Sequence, residues 1–236
     1  MGYTAGKKVL DYGCGSGYGT ALISQGCQQI TGIDVSAEAI AHAQSHFNAA
    51  NLSYLQVRPA EEQPLPFTDA SFDVILSFQV IEHVADVSIY LAEIERLLAP
   101  GGTAILSTPD RSGRLFSFQK PWNMWHLREY TQDQLKNELS GHFPRVTVKQ
   151  IGGKQEVVGI ELRRTQRLKW ILIPLTLPFI PESVRRNGLR LIKDLNYSLA
   201  GQKSAPITST FDETALSISD HESFSIDLLA IADKSS

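Results

Sequence analysis

Val9-Leu10-Asp11-Tyr12-Gly13-Cys14-Gly15-Ser16-Gly17-Tyr18-Gly19 decides the reading of this chain. An apolar run enters a turn with glycine at alternate positions, and a helix is expected to begin near Tyr18. Glycine lets the backbone turn tightly and approach a ligand closely. Asp34 closes the next strand-like run, about 20 residues further on, where a carboxylate can accept from both ribose hydroxyls of an adenosine. A dinucleotide site of pattern G-x-G-x-x-G would place its third glycine at Tyr18, which is not glycine. Asp11, just before the loop, would repel a pyrophosphate but suits the ammonium and sulfonium groups of S-adenosylmethionine. A glycine turn alone also serves tight packing. Asp11 and Asp34 together favour the cofactor.

Strand and helix patterns alternate through the first 150 residues, which argues for βαβ units and a mostly parallel sheet. Strands are expected at 8–12, 29–34, 52–57, 72–77 and 103–107. Ser36 is expected to cap an alanine-rich helix reaching about residue 51, with Glu38 in its first turn. Val87, Leu91, Ile94 and Leu98 share one helical face, and Pro100-Gly101-Gly102 stops that helix. Thr131 and Gln134 form a capping-box pattern, and Gly141 ends the helix that follows. Further strands are expected at 145–151 and 223–232. The expected fold is a doubly wound α/β domain with a mostly parallel, seven-stranded sheet and a long insertion before the last strand. The division is 1–151 for the core, 152–222 for the insertion and 223–236 for the final strand.

The chain has 236 residues, 42% hydrophobic and 20% charged, which is ordinary for a globular protein. A net charge of -3 gives no global attraction to nucleic acid. Cys14 and Cys27 show no metal-ligand spacing and read as reduced thiols. The longest apolar stretch, 170–180, is too short to span a bilayer. The expectation is a cytoplasmic protein.

Taken in order, several motifs resemble the class I S-adenosylmethionine-dependent methyltransferases. Within them the chain is similar to the group that includes the ubiquinone-type O-methyltransferases and enzymes of bacterial sugar and lipid biosynthesis. The motifs are 9–17; Gly32-Ile33-Asp34-Val35-Ser36; Leu65-Pro66-Phe67 with Ser71-Phe72-Asp73-Val74-Ile75; Val80-Ile81-Glu82-His83-Val84; Leu98-Ala99-Pro100-Gly101-Gly102 with Ser107-Thr108-Pro109; and His126-Leu127-Arg128-Glu129-Tyr130-Thr131. The resemblance covers about residues 5–150 and the final strand, and it specifies cofactor and fold rather than substrate. It implies that Asp11, Gly13, Gly15 and Gly17 line the methionine side, that Asp34 holds the ribose and that Val35 lies against the adenine. Ala60 and Glu61 would contact the adenine edge, and Ser77 and Phe78 would border the methionine moiety. The family often has an acidic residue just before the position of Ala60, where this chain has Pro59. If Met1 is the start, the insertion is expected to supply the cover that a preceding helical segment gives in relatives.

Methyl transfer is an in-line displacement in which alignment supplies much of the rate. A base is needed only where the acceptor loses a proton, as a hydroxyl must. His83 follows the fourth strand at the edge where open α/β sheets bind ligands, with Glu82 beside it. His126 follows the fifth strand, on the same edge, with Trp122 and Trp125 nearby. Each also reads as a packed or solvated loop residue. No metal is expected: His42 and His46 lie one helical turn apart, but no third ligand is apparent. The reading is transfer of a methyl group to a small-molecule acceptor, a hydroxyl of a sugar, glycan or lipid-linked intermediate, with N- or C-methylation or a non-catalytic binding role as alternatives.

The insertion has its own character. From 163 to 193 there are eight cationic residues and one acid, Glu182, around Trp170-Ile171-Leu172-Ile173-Pro174-Leu175-Thr176-Leu177-Pro178-Phe179-Ile180. Pro174, Pro178 and Pro181 break any long helix. The segment reads first as a cap whose arginines reach water, and second as a peripheral membrane contact or lipid-linked acceptor site. Nucleic acid is disfavoured, because the aromatics are not interleaved with the cations as a stacking platform requires.

Overall fold

The computed structural model describes residues 2–58, 64–153, 155–199, 216–222 and 225–236. The first half alternates β1 (Lys8–Tyr12), α1 (Tyr18–Ser24), β2 (Gln29–Asp34), α2 (Ala37–His46), β3 (Leu52–Gln56), β4 (Phe72–Phe78), α3 (Val87–Leu97) and β5 (Leu98–Pro109). Then follow α4 (Arg111–Arg114), α5 (Gln132–Ser140), β6 (Arg145–Gly153), α6 (Gln155–Ile171), α7 (Ile173–Thr176), α8 (Glu182–Leu199), β7 (Leu216–Ser219) and β8 (Asp227–Asp233). The strand order is β3-β2-β1-β4-β5-β8-β6-β7, with β1 parallel to both β2 and β4. Among the described residues the sheet therefore has eight strands where seven are expected. The extra strand is β7, whose Leu216 to Ser219 pair antiparallel with the end of β6.

Two compact units partition the chain. One is Met1–Thr108 with Asp133–Val148 and Leu229–Ser236; the other is Pro109–Gln132 with Lys149–Leu228. In the first unit, Val9, Leu10, Tyr12 and Asp11 are all buried, so β1 shows no alternation. That is the signature of a parallel strand covered on both faces. Val9, Ile30, Val74, Leu76 and Ile105 pack on one face of the sheet. α3 buries Val87, Leu91 and Ile94 as its periodicity requires, and Asp86 caps it by accepting from the Ile89 amide at 3.1 Å. Ser36 caps α2 as expected, accepting from the Ala39 amide at 3.1 Å.

Two expectations shift for tertiary reasons. α2 ends at His46 rather than near residue 51, because the Asn51 side chain is drawn to the α1–β2 turn, where Nδ2 donates to the Ser24 and Cys27 carbonyls. β5 begins at Leu98 rather than at residue 103: Leu98 pairs with Phe72, and the Pro-Gly-Gly segment is accommodated as an irregularity before Thr103 pairs with Val74.

In the second unit, α6 and α8 are separated by the four-residue α7, as the three prolines require. Gln119 donates from Nε2 to the Lys169 carbonyl and to Thr176 Oγ1, tying segment 115–121 to this helical pair. No helix among the described residues is long and apolar enough to cross a membrane.

Candidate functional site

The site begins at the C-terminal end of β1, where the strand order reverses between the β2–β3 side and the β4–β5 side. Open α/β sheets bind ligands in that crevice. Gly13, Gly15 and Gly17 take φ of 89°, 53° and 86°, a region that side chains with a Cβ adopt only at a cost. Gly13 also packs against the Val80 side chain, and Gly17 against Ala43 and Tyr54.

The loop amides are already engaged. The Gly13 and Cys14 amides donate to the Ile33 carbonyl at 2.8 and 3.0 Å, and the Gly17 amide to the Cys14 carbonyl at 3.1 Å. The Gly15 amide donates to Asp34 Oδ2 at 2.9 Å. A phosphate cradle works by presenting several unengaged backbone amides to one anion. Here the Gly13, Cys14 and Gly15 donors close the loop onto β2 instead, and the Gly17 donor closes it on itself.

Two carboxylates converge at the same end of the sheet. Asp34 also accepts from the Ser36 amide at 2.9 Å, so each oxygen holds one backbone donor and keeps lone-pair capacity for another. Asp11 is 6% exposed, and its Oδ2 accepts from Thr20 Oγ1 at 2.6 Å. Burial raises its pKa from 3.8 to about 6; the Thr20 hydrogen bond opposes the rise and the Asp34 charge adds to it. Burial likewise pushes the Cys14 thiol up to about 12, so it stays protonated and unreactive near neutrality. A buried carboxylate raised by burial and by a like charge is relieved by a cationic ligand and aggravated by an anionic one. This donor set fits the ammonium, sulfonium and ribose of S-adenosylmethionine and does not fit a pyrophosphate.

Near the end of β4, the Ser77 side chain closes a buried chain in which Tyr90 Oη donates to Ser77 Oγ at 2.7 Å and Ser77 Oγ donates to the Tyr12 carbonyl at 2.9 Å. Ser77 thus locks β4 to the end of β1, and Phe78 beside it is partly exposed. Gln79 takes a φ of 58°, unusual for a residue with a side chain, and its amide donates to the Ser107 carbonyl at 2.9 Å. The chain then turns: the His83 amide donates to the Val80 carbonyl at 2.8 Å. Because Val80 lies on Gly13, this turn sits directly on the glycine loop. Glu82 is fully buried and accepts from Thr108 Oγ1 at 3.0 Å. His83 is 42% exposed, with Nε2 at 3.9 Å from Glu82 Oε1, an ion-pair distance rather than a hydrogen bond. The pair has the order of a general base backed by a buried carboxylate.

His126 belongs to the second unit, where both ring nitrogens are engaged. Nδ1 lies 2.8 Å from Glu129 Oε1, and Nε2 lies 2.8 Å from Asn123 Nδ2. Glu129 Oε2 is 3.6 Å from Arg114 Nε, and the Arg114 guanidinium lies over the Trp122 ring. Arg185, 2% exposed, pairs with Glu182 and donates to the carbonyls of Pro121 and Asn123. His126 is held in a buried polar network.

Val35, more than half exposed, follows Asp34 at the rim. Ala60 and Glu61, expected at the adenine edge, lie outside the described residues, as does Pro59. Thr20 and Tyr90 are not singled out by sequence, and Thr108 enters it only within the Ser107-Thr108-Pro109 motif. The one available signal was the placement of Thr20 in the first turn of the helix after the loop.

A methyltransferase domain family matches residues 10–106. A "probable S-adenosylmethionine-dependent methyltransferase" of Mycolicibacterium smegmatis is 36% identical over 135 residues, 57% of this chain and 51% of that protein. A ubiquinone biosynthesis O-methyltransferase of Psychrobacter cryohalolentis is 29% identical over 172 residues, 71% of this chain and 67% of that protein. Among solved structures, the YcgJ protein of Bacillus subtilis superposes with a TM-score of 0.58 at 21% identity, covering 99% of this chain and 94% of that one, which speaks for the fold. The chain spans about half the length of the mycobacterial relative.

Proposed function

We propose that this chain, whose residues 10–106 match a methyltransferase domain family, is a class I S-adenosylmethionine-dependent methyltransferase that transfers a methyl group from S-adenosylmethionine to the hydroxyl of a small-molecule acceptor. The observation that carries the reading is the pairing of Asp11 and Asp34 around a loop whose Gly13, Cys14 and Gly15 amides are closed onto β2. That arrangement suits a cationic nucleoside. The cofactor, when bound, supplies an activated methyl group on sulfur. Asp34 would hold its ribose and Asp11 its cationic end. Gly13, Gly15 and Gly17 would let the backbone approach, with Val35, Ala60 and Glu61 toward the adenine and Ser77 and Phe78 toward the methionine.

His83 is proposed as the base. The imidazole takes the proton that the acceptor hydroxyl loses as the methyl group is transferred, with Nε2 on the side of Glu82. Buried Glu82 stabilises the imidazolium by its charge, and Thr108 fixes Glu82 in place. His126 is proposed as an acceptor-side residue, held by Glu129 and Asn123. The O-methylation reading is supported by the name of the Psychrobacter relative and by a base on the glycine-loop turn. The acceptor class, a sugar, glycan or lipid-linked intermediate, is proposed on family resemblance. Peripheral membrane contact through 163–193 is proposed because Trp170, Ile171 and Phe179 are exposed among cationic residues.

Calorimetric titration with S-adenosylmethionine tests the core of this reading. Micromolar binding that is lost in Asp34→Ala is the expected result. Absence of binding by the intact chain would remove the methyltransferase reading.

A further inference from the structure

The second unit holds a small cavity of about 140 Å³, bounded by Met124, Trp125, Arg186, Asn187 and Arg190. We infer that this cavity is an anion site that takes a phosphoryl group. The inference goes beyond the proposed activity and stands on residues of the second unit alone.

Charge is the first argument. Arg186 and Arg190 lie four residues apart on α8 and so project from one side of the helix. The acid available to this turn is Glu182. Its Oε1 already takes Arg186 Nε at 3.0 Å and the Arg185 guanidinium as well. One carboxylate is thus shared by two guanidiniums, and Arg190 adds a third cation one turn on. Among the described residues no carboxylate pairs with Arg190. Among the described side chains the cavity wall therefore carries net positive charge.

Shape is the second argument. Guanidinium groups present planar forks that match the oxygens of a phosphate in pairs. Two forks and the Asn187 amide supply more donors than a carboxylate can use, and a tetrahedral oxyanion accepts them from several directions. A volume of about 140 Å³ is below that of a whole-ligand pocket and suits one such group. Met124 and Trp125 form the apolar side; the Trp125 ring is 60% exposed and offers a face to whatever the phosphoryl group is attached to.

Placement is the third argument. The Trp125 amide donates to Asn123 Oδ1 at 3.1 Å, and the Asn123 amide group holds His126 Nε2. The cavity wall and the proposed acceptor-side histidine belong to one short, hydrogen-bonded segment. Arg185 fastens that segment to α8 through the Pro121 and Asn123 carbonyls. A phosphoryl group held here would be anchored within the same segment as His126.

The test uses the full chain. Inorganic phosphate is titrated by calorimetry at constant ionic strength. Separately, the chain is sedimented with phosphatidylcholine vesicles with and without phosphatidylglycerol. Arg190→Ala is the variant, since its exposed side chain contributes nothing to the core. The expected result is binding of at least one probe, weakened about tenfold by the variant, with S-adenosylmethionine affinity unchanged. Heat with inorganic phosphate supports a soluble phosphorylated group; binding only to phosphatidylglycerol vesicles supports a lipid headgroup. Failure to bind either probe, or equal affinities in the parent and Arg190→Ala, overturns the subsite. S-adenosylmethionine titrated into the same samples separates the two failures: its loss removes the methyltransferase reading, whereas a phosphate failure beside intact cofactor binding removes only the subsite.

Discussion

Gly15 and Asp34, nineteen residues apart, are joined by a 2.9 Å hydrogen bond from the loop amide to the carboxylate. The bond fixes the shape of the glycine turn and aims the carboxylate at the crevice. Its other oxygen is fixed by the Ser36 amide. Asp34 is thus pre-oriented before any ligand arrives, so little ordering entropy remains for binding. Replacing it by alanine removes the ribose acceptor and frees the loop together. Asp34→Asn keeps one acceptor oxygen and should weaken S-adenosylmethionine binding by about tenfold or more. Asp34→Ala should weaken it further, and calorimetry reads both.

Gly17→Ala should cost about 3 kcal/mol in urea unfolding. About 1–2 kcal/mol comes from forcing alanine into the left-handed region. The remainder comes from a Cβ that would lie 2.6 Å from Ala43 Cβ and 2.8 Å from Tyr54 Oη. Gly19→Ala, where a Cβ meets nothing within 4 Å, should leave stability almost unchanged and serves as the control.

Asp11 predicts a pH dependence with a definite sign. Its pKa is 3.8 ordinarily and about 6 in the fold. Between those values the folded protein holds a proton that the unfolded chain releases, so this group's contribution to stability is complete below pH 3.8. It falls as pH rises through about 6, by up to about 3 kcal/mol. Cofactor affinity runs the opposite way, because a cationic ligand prefers the ionised carboxylate. S-adenosylmethionine should bind more tightly at pH 7.5 than at pH 5. Asp11→Asn should flatten both profiles, and retention of the wild-type profile in that variant would assign the effect elsewhere.

His83→Ala should lower kcat for a hydroxyl acceptor about 100-fold or more while S-adenosylmethionine affinity stays intact. Unchanged turnover would remove His83 from the mechanism. Thr108→Val leaves the histidine in place but takes a 3.0 Å hydrogen bond from Glu82. It should lower kcat less than His83→Ala and shift the pH profile of turnover.

Arg185→Ala should destabilise the second unit by about 1–3 kcal/mol, the scale of leaving the Pro121 and Asn123 carbonyls without their buried donor. Thermal melts read the loss, and proteolysis should cut the 121–123 segment sooner. Arg185 also helps hold Glu182 at a pKa of about 2, down from 4.5. That contribution is present above pH 4.5 and is lost as pH falls through about 2. It is smaller than the shift suggests, since Glu182 is half exposed and solvent screens the pair.

Much of the site was legible because its signals are local. Left-handed backbone at 13, 15 and 17 can be read from the glycines themselves. The Ser36 cap follows from one side chain and one amide three residues on. The apolar face of α3 is a matter of periodicity. Ser77 shows where such reading stops: its position at the end of β4 was plain, but its bonds to Tyr12 and Tyr90 depend on residues 65 and 13 positions away. Glu82 is similar, since burial and the Thr108 hydroxyl make it a supporting carboxylate.

By itself, the sequence determined the parallel α/β framework, the glycine turn and the two carboxylates flanking it, because each is set by backbone freedom, hydrophobic period or a residue's own charge. Only the tertiary structure decided where the loop amides point, how far Asp11 is raised, that an eighth strand adds to the sheet and which unit holds His126. Those outcomes depend on which distant groups meet within hydrogen-bonding range and how much water is excluded around them, and neither quantity is written in any one segment of the chain.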